Sequence, residues 1–292
     1  MIQKNLSEHL KEKFGCKVYK LSLDGGMTCP NRDGRVGDRG CIFCSDTGSG
    51  EFAEKPCGNI ALQLENAKKR VAGKVKDGKY IAYFQSFTNT YAPLSYLKRI
   101  YTEAISPDFV VGLAIATRPD CLSDETVELL KEINKIKPLW VELGLQTSDN
   151  AVSKYIRRGY DTEVFDEAVK KLHAAGIETV AHVIIGLPDD DPVKTAQHLS
   201  ALPIDGVKFH LLYVSRGTDL HKDYLAGKLE VLSLEEYTEI LKNCLSVLRE
   251  DIIIHRLTGD GAKRDLVAPL WSGDKKRVLN YINKALGGKE NA

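Results

Sequence analysis

Three cysteines lie close together in a stretch that is rich in glycine and charge. Cys29, Cys41 and Cys44 fall in "CPNRDGRVGDRGCIFCSDTGSG", with eleven residues between the first two and two between the last two. Such a segment is too polar to pack as a core element, so burial does not explain its thiols. Three thiolates on one loop suit zinc or an iron–sulfur cluster. The spacing therefore predicts an inorganic centre.

These residues alone leave the type of centre open. A closed tetrahedral zinc site needs a fourth ligand, which Cys57 could supply. Structural zinc modules usually pair their ligands in two short hairpins, and Cys29 has no such neighbour. A catalytic cluster with one open iron needs three protein ligands and no more. Both centres fit a three-cysteine loop.

The elements that would position this loop are an alternating series of strands and helices. Cys29 follows the first strand, on the side where α/β barrels carry their chemistry. Helix ends are marked by Ser123, by Gly176, and by the capping-box pair Ser233 and Glu236. Repeated strand–helix units predict a parallel α/β sheet, either a barrel or an open doubly wound sheet. The predicted strands span residues 18–24, 80–86, 110–117, 140–147, 179–186 and 207–214.

The predicted strands carry polar residues on one face. In "WVELGLQT", apolar residues alternate with Glu142, Gly144 and Gln146. A parallel sheet covered on both sides would have nearly continuous apolar strands, and an ordinary eight-stranded barrel fills its lumen with branched apolar side chains. We therefore expect a barrel whose lumen is polar, open and able to bind a ligand. The other strands contribute Lys20, His182, Lys208 and His210 to the polar face.

Size and composition describe an ordinary soluble globular protein of 292 residues with a formal charge of +1. The apolar run "FVVGLAIA" is far shorter than the roughly 20 residues that cross a bilayer, and the N-terminal segment lacks a signal-peptide core. Seven cysteines, an odd number, favour a reducing compartment. We expect a cytoplasmic protein without a membrane partner. Basic runs at residues 68–79 and 263–289 suit either solvated helix faces or a nucleic-acid surface.

Several ordered motifs resemble the radical SAM superfamily. Phe43 in "CIFC" matches the aromatic residue that usually precedes the third cysteine of that family. The long spacing after Cys29 departs from the commonest Cys-x3-Cys-x2-Cys form and resembles the branch around the Elongator catalytic subunit and the coproporphyrinogen oxidase-like enzymes. The stretch "VELGLQTSDNAVSKYIRRGYDTEVFDEAVKKLHAAGIETVAHVIIGLP" resembles the Elongator branch nearly throughout. The whole chain, including "SLDGGMTCPNRDG" and "IHRLTGDGAKRDLVAPLW", is most similar to the YhcC/YtqA-type bacterial subfamily.

This resemblance implies a fold and a cofactor chemistry. The fold is α/β, a partial (β/α)6 barrel of parallel strands over residues 18–220, with a short N-terminal helix in 1–17 and a C-terminal α/β extension over 221–292. Cys29, Cys41 and Cys44 would hold a [4Fe–4S] cluster, and its open iron would bind S-adenosyl-L-methionine (SAM). A reducing donor of the flavodoxin or ferredoxin type would supply the electron. Cleavage of SAM then gives a 5′-deoxyadenosyl radical, which abstracts hydrogen from a substrate in an enclosed site.

The resemblance also implies contacts to the methionyl amine of SAM. The segment "YFQSFTNTYAP" lies where relatives have a glycine-rich turn. Gln85, Ser86 and Phe87 replace the glycines here, and Thr88 matches. Glu142 is a further candidate contact for the amine, although it and Gln146 could equally form a structural hydrogen-bonded pair in the lumen.

Other implied contacts involve the carboxylate, ribose and adenine of SAM. Arg158 matches an arginine that pairs with the carboxylate, where a guanidinium fork suits a planar anion. Gln146 matches a ribose-binding glutamine, and His182 stands in place of a ribose-binding aspartate. Ile184 and Leu212 occupy positions that pack the adenine. The alternative for Arg158 is an ordinary helix charge, and for His182 a structural role in the lumen.

Three residues are candidates for the catalytic step itself. Cys121 follows "ATRPD" and could face the cavity and donate a hydrogen atom, or it could be a simple free thiol. Lys208 and His210 belong to the polar strand face, where His210 could also be structural.

The resemblance favours modification of the side chain on the wobble uridine of tRNA, because the nearest named chemistry of this branch acts there. Two alternatives stay open: radical chemistry on a small metabolite or a tetrapyrrole, and a zinc-stapled RNA-binding protein that uses Cys57 as its fourth ligand.

Overall fold

The computed structural model describes residues 3–48, 50–74, 78–259 and 261–287. Its strands are β1 Val18–Leu23, β2 Lys79–Phe84, β3 Val110–Thr117, β4 Leu139–Gln146, β5 Glu178–Ile185, β6 Gly206–Leu211, β7 Val214–Ser215, β8 Ile253–Arg256 and β9 Leu266–Ala268. Seven of them form one sheet in the order β1, β2, β3, β4, β5, β6, β8, and every neighbouring pair is parallel. The predicted parallel half-barrel is confirmed. All six predicted strands form, and β8 is a seventh that the sequence analysis missed.

Helices connect the strands and cover the outer face of the sheet. They are α1 Leu6–Phe14, α2 Ile60–Val71, α3 Leu94–Ile105, α4 Asp124–Ile136, α5 Asn150–Tyr155, α6 Thr162–Ala174, α7 Pro192–Ser200, α8 Asp219–Leu225, α9 Leu234–Val247 and α10 Lys275–Ala285. The predicted helix ends are confirmed. Ser123 caps α4, Gly176 follows α6 in the left-handed region at φ 70°, and Ser233 and Glu236 form the capping box of α9.

The outward face of the sheet holds the main core. On β4, Val141, Leu143 and Leu145 are all fully buried beneath the helices. Each such side chain stabilises the fold by roughly 1.5–3 kcal/mol. The same alternation buries an apolar series on the neighbouring strands: Leu21, Leu23, Leu113, Ile115, Ala181, Val183, Ile185, Val207, Phe209 and Leu211.

Helix α1 closes the end of the lumen where the strands begin. A capping box between Asn5 and Glu8 starts this helix, and Leu10 on its buried side joins an apolar cluster at the base of the lumen. The strands contribute Ile81, Tyr83, Ala114, Trp140 and Val180 to that cluster. This apolar packing closes the base of the lumen among the described residues, and the cysteine loop begins at the opposite end of the strands.

The lumen above this floor is polar, and solvent reaches its upper part. Lys20, Gly144, His182 and His210 are partly exposed, whereas their outward-facing neighbours are buried. The prediction that polar residues line the lumen is confirmed, and the prediction that the lumen is open and binds a ligand stays a prediction.

The C-terminal region is part of the same sheet. Strand β8 pairs with β6, with Gly206 opposite Ile253 and Lys208 opposite Arg256. The boundary proposed at residue 221 stays a prediction. Lys276 and Arg277 of the second basic run are exposed on α10. Residues 75–77 within the first run and 288–289 at the end of the second lie outside the described residues. Within the described ranges, the structure contains no helix that is both long and apolar enough to cross a membrane.

Candidate cofactor site and lumen

The cysteine loop is a folded segment, fixed by its own backbone and by the loop after α5. Val36 N donates to Pro30 O at 2.7 Å, and Gly40 N donates to Asn31 O at 2.6 Å. Ile42 N donates to Ile156 O at 3.2 Å, which ties the loop to the segment between α5 and α6. These bonds hold the loop above the carboxyl ends of the strands without regular secondary structure.

Two polar side chains organise the space around the sulfur atoms. Asn31 Nδ2 donates to Arg157 O at 2.5 Å and lies 3.6 Å from Cys41 Sγ. A Cβ atom on Gly37 would lie 2.4 Å from Asn31 Oδ1, so only glycine fits beside this amide. Arg32 Nη2 donates to the carbonyl oxygens of Cys44 and Ser45 at 2.9 and 2.6 Å.

The three thiols are close enough to influence one another. Burial, with smaller contributions from the nearby Cys44 and Cys29, raises the pKa of Cys41 to about 12. Burial also raises the pKa of Cys44, and Cys29 adds to the effect while Arg32 opposes it. A buried thiol loses its proton readily only when a cation replaces it, and iron supplies that charge. Cys29, Cys41 and Cys44 are partly buried and influence one another electrostatically, so they form a donor set that suits a cluster.

Two further observations concern metal ligands. Among the described residues, no three His, Cys, Asp or Glu side chains converge closely enough to hold a single metal ion. Cys57 is exposed just before α2, with its Sγ 3.3 Å from Asn59 O. The roles of Cys57 and of the three loop cysteines stay predictions.

The turn after β2 packs against the cysteine loop. Phe87 has a left-handed backbone at φ 58°, and its N–H donates to Gly48 O at 2.9 Å. A Cβ atom on Gly48 would lie 2.3 Å from the Phe87 ring. Ser86 is 1% exposed, and its Oγ finds no hydrogen-bond partner in the described part of the chain. This unpaired hydroxyl faces Gly50, after the cysteine loop, and a polar group of a ligand could satisfy it, as the resemblance predicts for the methionyl amine.

The rest of this turn is tied to both neighbouring segments. Thr88 is buried, and its N–H donates to Thr28 O at 3.3 Å, directly before Cys29. Gln85 N donates to Leu23 O at 3.1 Å, at the end of β1.

An apolar cluster unites the residues expected to pack the adenine of SAM. Leu212 is buried in it, and Phe43 and Ile184 pack against it. Ile42 belongs to the same cluster, so the "CIFC" motif and the ends of β5 and β6 meet there. The structure thus brings together Phe43, Ile184 and Leu212, which lie far apart in the sequence.

Gln146 stands at an irregular end of β4. The pairing of β4 with β5 shifts register between Gly144 and Gln146, and Gln146 adopts φ 63°. A left-handed backbone is strained for a residue with a Cβ and persists where the surroundings impose it. The strained backbone reorients Gln146 at the end of β4. This orientation agrees with a ligand-binding role, which stays a prediction.

Arg158 is buried and largely occupied by the protein itself. Its Nε donates to Tyr160 O at 3.0 Å, and its Nη1 donates to Thr147 O at 2.7 Å and to Leu145 O. Its Nη2 reaches Thr162 Oγ1 at 3.3 Å. In this arrangement the guanidinium fixes the end of β4, and its expected pairing with the SAM carboxylate stays a prediction.

Sequence reasoning did not single out Arg118, which lies next to Arg158 at the end of β3. Arg118 forms a bidentate ion pair with Asp120, in which Nε and Nη2 donate at 2.9 and 2.7 Å. Its Nη1 donates to Arg158 O at 2.8 Å. Both guanidinium groups lie 4.7 Å from the centre of the Tyr160 ring. The "ATRPD" motif carried the signal, but only as the context of Cys121.

Cys121 lies beside the cysteine loop. It lines a cavity of about 600 Å³ together with Pro30, Arg35 and Tyr91. Burial and then Asp120 raise the pKa of Cys121 to about 12, so the thiol keeps its hydrogen at neutral pH. Its expected role as a hydrogen donor stays a prediction.

Glu142 is the centre of a charged cluster in the middle of the lumen. Its Oε1 accepts from Lys20 Nζ at 2.6 Å and from Trp140 Nε1 at 3.0 Å. Its Oε2 faces His182 Nε2 at 3.0 Å and accepts from Lys208 Nζ. All four contacts are made inside the protein, so Glu142 is already saturated in this arrangement, and its expected contact with the SAM amine stays a prediction.

The ionisation of this cluster follows from burial and neighbouring charge. Burial opposes the charge on Glu142, but Lys20 and Lys208 outweigh it and hold the pKa of the carboxyl well below its usual value. Burial lowers the pKa of Lys208 to about 7, although Glu142 opposes the change. Burial and then Lys208 lower the pKa of His182 to about 4, so this imidazole is neutral at pH 7. Burial and then Arg256 hold the pKa of His210 well below its usual value.

Comparison with known proteins identifies the family. The model of the Radical SAM superfamily matches residues 33–199, and the model of the Radical_SAM C-terminal domain matches residues 204–287. The uncharacterized protein YtqA of Bacillus subtilis is 45% identical over 96% of this chain and 88% of its own length. Protein YhcC of Escherichia coli is 34% identical over 95% of this chain and 90% of its own length.

More distant matches lie in the Elongator branch. A tRNA uridine(34) acetyltransferase of Methanocaldococcus jannaschii is 26% identical over 59% of this chain. The aligned region covers only 32% of that protein. The structure of Elp3 from Methanocaldococcus infernus aligns with a TM-score of 0.66 at 19% identity, covering 93% of this chain and 64% of that one. That likeness shows the fold, and the resemblance to the YhcC/YtqA-type subfamily and to the Elongator branch is confirmed. The chain belongs to the radical SAM superfamily of enzymes.

Proposed function

We propose that this enzyme holds a [4Fe–4S] cluster on Cys29, Cys41 and Cys44 and uses it to cleave SAM reductively. The observation that carries the proposal is that these three thiols lie within electrostatic reach of one another on one folded loop. Family membership implies both cofactors, and the buried donor set supports the cluster.

The chain's own residues would bind and orient SAM. When bound, the cluster would supply an electron to SAM and so generate a 5′-deoxyadenosyl radical. The Ser86 hydroxyl, which lacks a protein partner among the described residues, would take a polar group of the methionyl end. Ile184 and Leu212 would pack the adenine in the apolar cluster that also receives Phe43, and Gln146 would bind the ribose. The same apolar cluster would keep water from the reacting atoms.

For the substrate we propose tRNA, with the side chain of the wobble uridine as the target. Support comes from the name of the distant relative that acts on tRNA uridine(34), and from the exposed basic residues Lys276 and Arg277 on α10. A reduced flavodoxin or ferredoxin would supply the electron, and the cytoplasm is the expected compartment.

Anaerobic reconstitution with iron and sulfide tests the cluster. We expect wild type to show a cubane Mössbauer spectrum and to release 5′-deoxyadenosine with SAM and dithionite. Cys44→Ala should lose both signals because it removes one of three iron ligands. Cys57→Ala is the matched control, and it should keep both. Stoichiometric zinc after anaerobic isolation, lost in Cys57→Ala, would overturn the proposal in favour of a zinc-stapled protein.

Comparison of tRNA nucleosides from cells with and without this protein tests the substrate. We expect one modified uridine at the wobble position to disappear. Charge reversal at Lys275, Lys276 and Arg277 should weaken tRNA retention and flatten its salt dependence, because each phosphate contact contributes about one unit to the slope. Unchanged retention across the salt titration would remove α10 from the tRNA-binding surface.

A further inference from the structure

The charged cluster in the lumen contains more positive than negative charge. Lys20 and Lys208 both bind the same carboxylate, that of Glu142. The side chain of Glu142 is fully buried, and that of Lys208 is 9% exposed. Glu178, at the start of β5, pairs instead with Lys13 of α1. Two ammonium groups thus share one carboxylate in a place where charge needs a partner.

Two imidazole nitrogen atoms beside the cluster also lack partners. His210 Nε2 and His255 Nδ1 are buried and make no hydrogen bond to any described residue. The His210 ring lies 5.2 Å from the His182 ring, so it borders the cluster directly. A neutral histidine can place its proton on either nitrogen, so each of these atoms can act as a donor. Unused donors next to surplus positive charge complement an oxyanion.

Part of the cluster is exposed. His182 and Lys20 retain 21% and 18% side-chain exposure. The residue above Glu142 on the same face of β4 is Gly144, and the Gln146 amide and the Tyr160 hydroxyl lie over it, so a ligand would pass these two side chains. The floor below is closed by the apolar packing of α1. A ligand that enters past the cysteine loop therefore meets the charged cluster at the end of its path.

We propose that the lumen binds a compact oxyanion, a carboxylate or a phosphate, against Lys208 and Lys20 with His210 as a further donor. We take this anion to be the end of the substrate that faces away from the cysteine loop, and this part of the inference rests on the proposed function. The anion-binding site itself does not depend on the proposed function. A nucleobase carries no such charge, so the reacting substrate or co-substrate would bear a carboxylate or phosphate arm.

The proposal predicts stronger binding at low pH. Lys208 must be protonated to attract the anion, and burial lowers its pKa to about 7. Binding should therefore be tighter at pH 6 than at pH 8.5. The charged and titratable groups that face Lys208 are Lys20 on β1, Tyr83 on β2, Glu142 on β4, His182 on β5, His210 on β6, and His255 and Arg256 on β8.

Isothermal titration of the full chain with sodium acetate and, separately, with inorganic phosphate tests the site. We expect one saturable site for at least one of the two anions, and the anion that binds identifies the chemistry of the arm. Lys208→Met should weaken that binding at least tenfold. Lys131→Met, which removes an exposed lysine paired with Glu128 on α4, is the control and should bind as wild type does. Equal binding by Lys208→Met, or no binding by wild type, would overturn the proposal.

Imidazole NMR shifts provide a second measurement that does not depend on the stability of Lys208→Met. In wild type, the His210 ring should shift with anion concentration along the same saturation curve, and a His210 signal that ignores the anion would also overturn the site. Cluster assembly and SAM cleavage are measured separately. If the anion does not bind but SAM is still cleaved, this inference alone is refuted. If the anion binds but no cluster assembles and SAM is not cleaved, only the proposed function is refuted.

Discussion

Replacing Glu142 with glutamine should destabilise the protein strongly, because one carboxylate serves two buried lysines. The carboxylate accepts four hydrogen bonds, and its side chain is fully buried, so solvent screens little of the interaction. Glutamine keeps one acceptor oxygen but presents an amide N–H₂ where the second oxygen stood. At least one ammonium group would then face a donor.

The expected loss follows from what isolated buried charges cost. Breaking a buried ion pair by removing one partner typically destabilises a protein by about 3–5 kcal/mol. We expect Glu142→Gln to lose an amount in this range, which corresponds to a drop of roughly 5–8 °C in Tm for a chain of this size. The loss should be smaller at pH 9 than at pH 6.5, because burial lowers the pKa of Lys208 to about 7 and this lysine is then neutral.

Urea unfolding followed by tryptophan fluorescence measures this loss, and Trp140 reports directly because it contacts Glu142 at 3.0 Å. Glu132→Gln is the matched control. Glu132 pairs with Lys98 at 3.2 Å, but the two side chains are 53% and 64% exposed, so its removal should change the free energy of unfolding by less than about 1 kcal/mol. Equal losses for the two variants would refute the view that the lumen cluster is held together by charge.

Three further predictions concern single residues around the lumen. Gln146→Gly should change the free energy of unfolding by less than about 1 kcal/mol, because it relieves a strained φ of 63° at the entropic cost of glycine, yet weaken SAM binding at least tenfold by calorimetry. Arg158→Met should lose roughly 3 kcal/mol in urea unfolding, since its buried guanidinium fixes three carbonyl oxygens; a loss below about 1 kcal/mol would contradict that role. His210 has a folded pKa well below that of the unfolded chain, so the unfolded state binds the extra proton and wild type loses stability as pH falls below about 6.5. His210→Phe should therefore lose less stability than wild type between pH 6.5 and pH 4.5, and an identical pH profile would contradict the assignment.

Strand periodicity was sufficient to predict the sheet and the face on which the charged residues lie. A period of two fixes which side chains share a face, so Lys20, Glu142, His182 and Lys208 were expected together on the lumen side. Periodicity does not fix the level of each residue along the barrel axis, because that depends on the stagger between neighbouring strands. The observed register places His182 opposite Lys208 and Gly144 opposite His182, and this stagger brings the four groups into contact.

The elements that sequence reasoning missed are short or depend on distant contacts. Strand β8 has four residues, and its pairing with β6 is decided by packing rather than by a long periodic pattern. The hydrogen bonds that Arg158 donates could not be predicted from the sequence, because their acceptors are mainly backbone carbonyl oxygens, which every residue possesses. Motif resemblance therefore pointed to Arg158 as important without indicating what its guanidinium binds in the folded chain.

The distribution of apolar residues explains how this barrel tolerates charge in its centre. The outer face of every long strand is packed under helices, and α1 seals the base, so the fold gains its stability from surfaces that no ligand needs to reach. The lumen is then free to hold groups that would be unfavourable in a core. A chain stabilised in the opposite way, with branched side chains filling the lumen, would have no room for a substrate beneath the cysteine loop. The partly exposed lysine, histidines and glycine along the inner face therefore reflect a division of roles within each strand: one set of alternate residues maintains the fold, and the other lines the lumen.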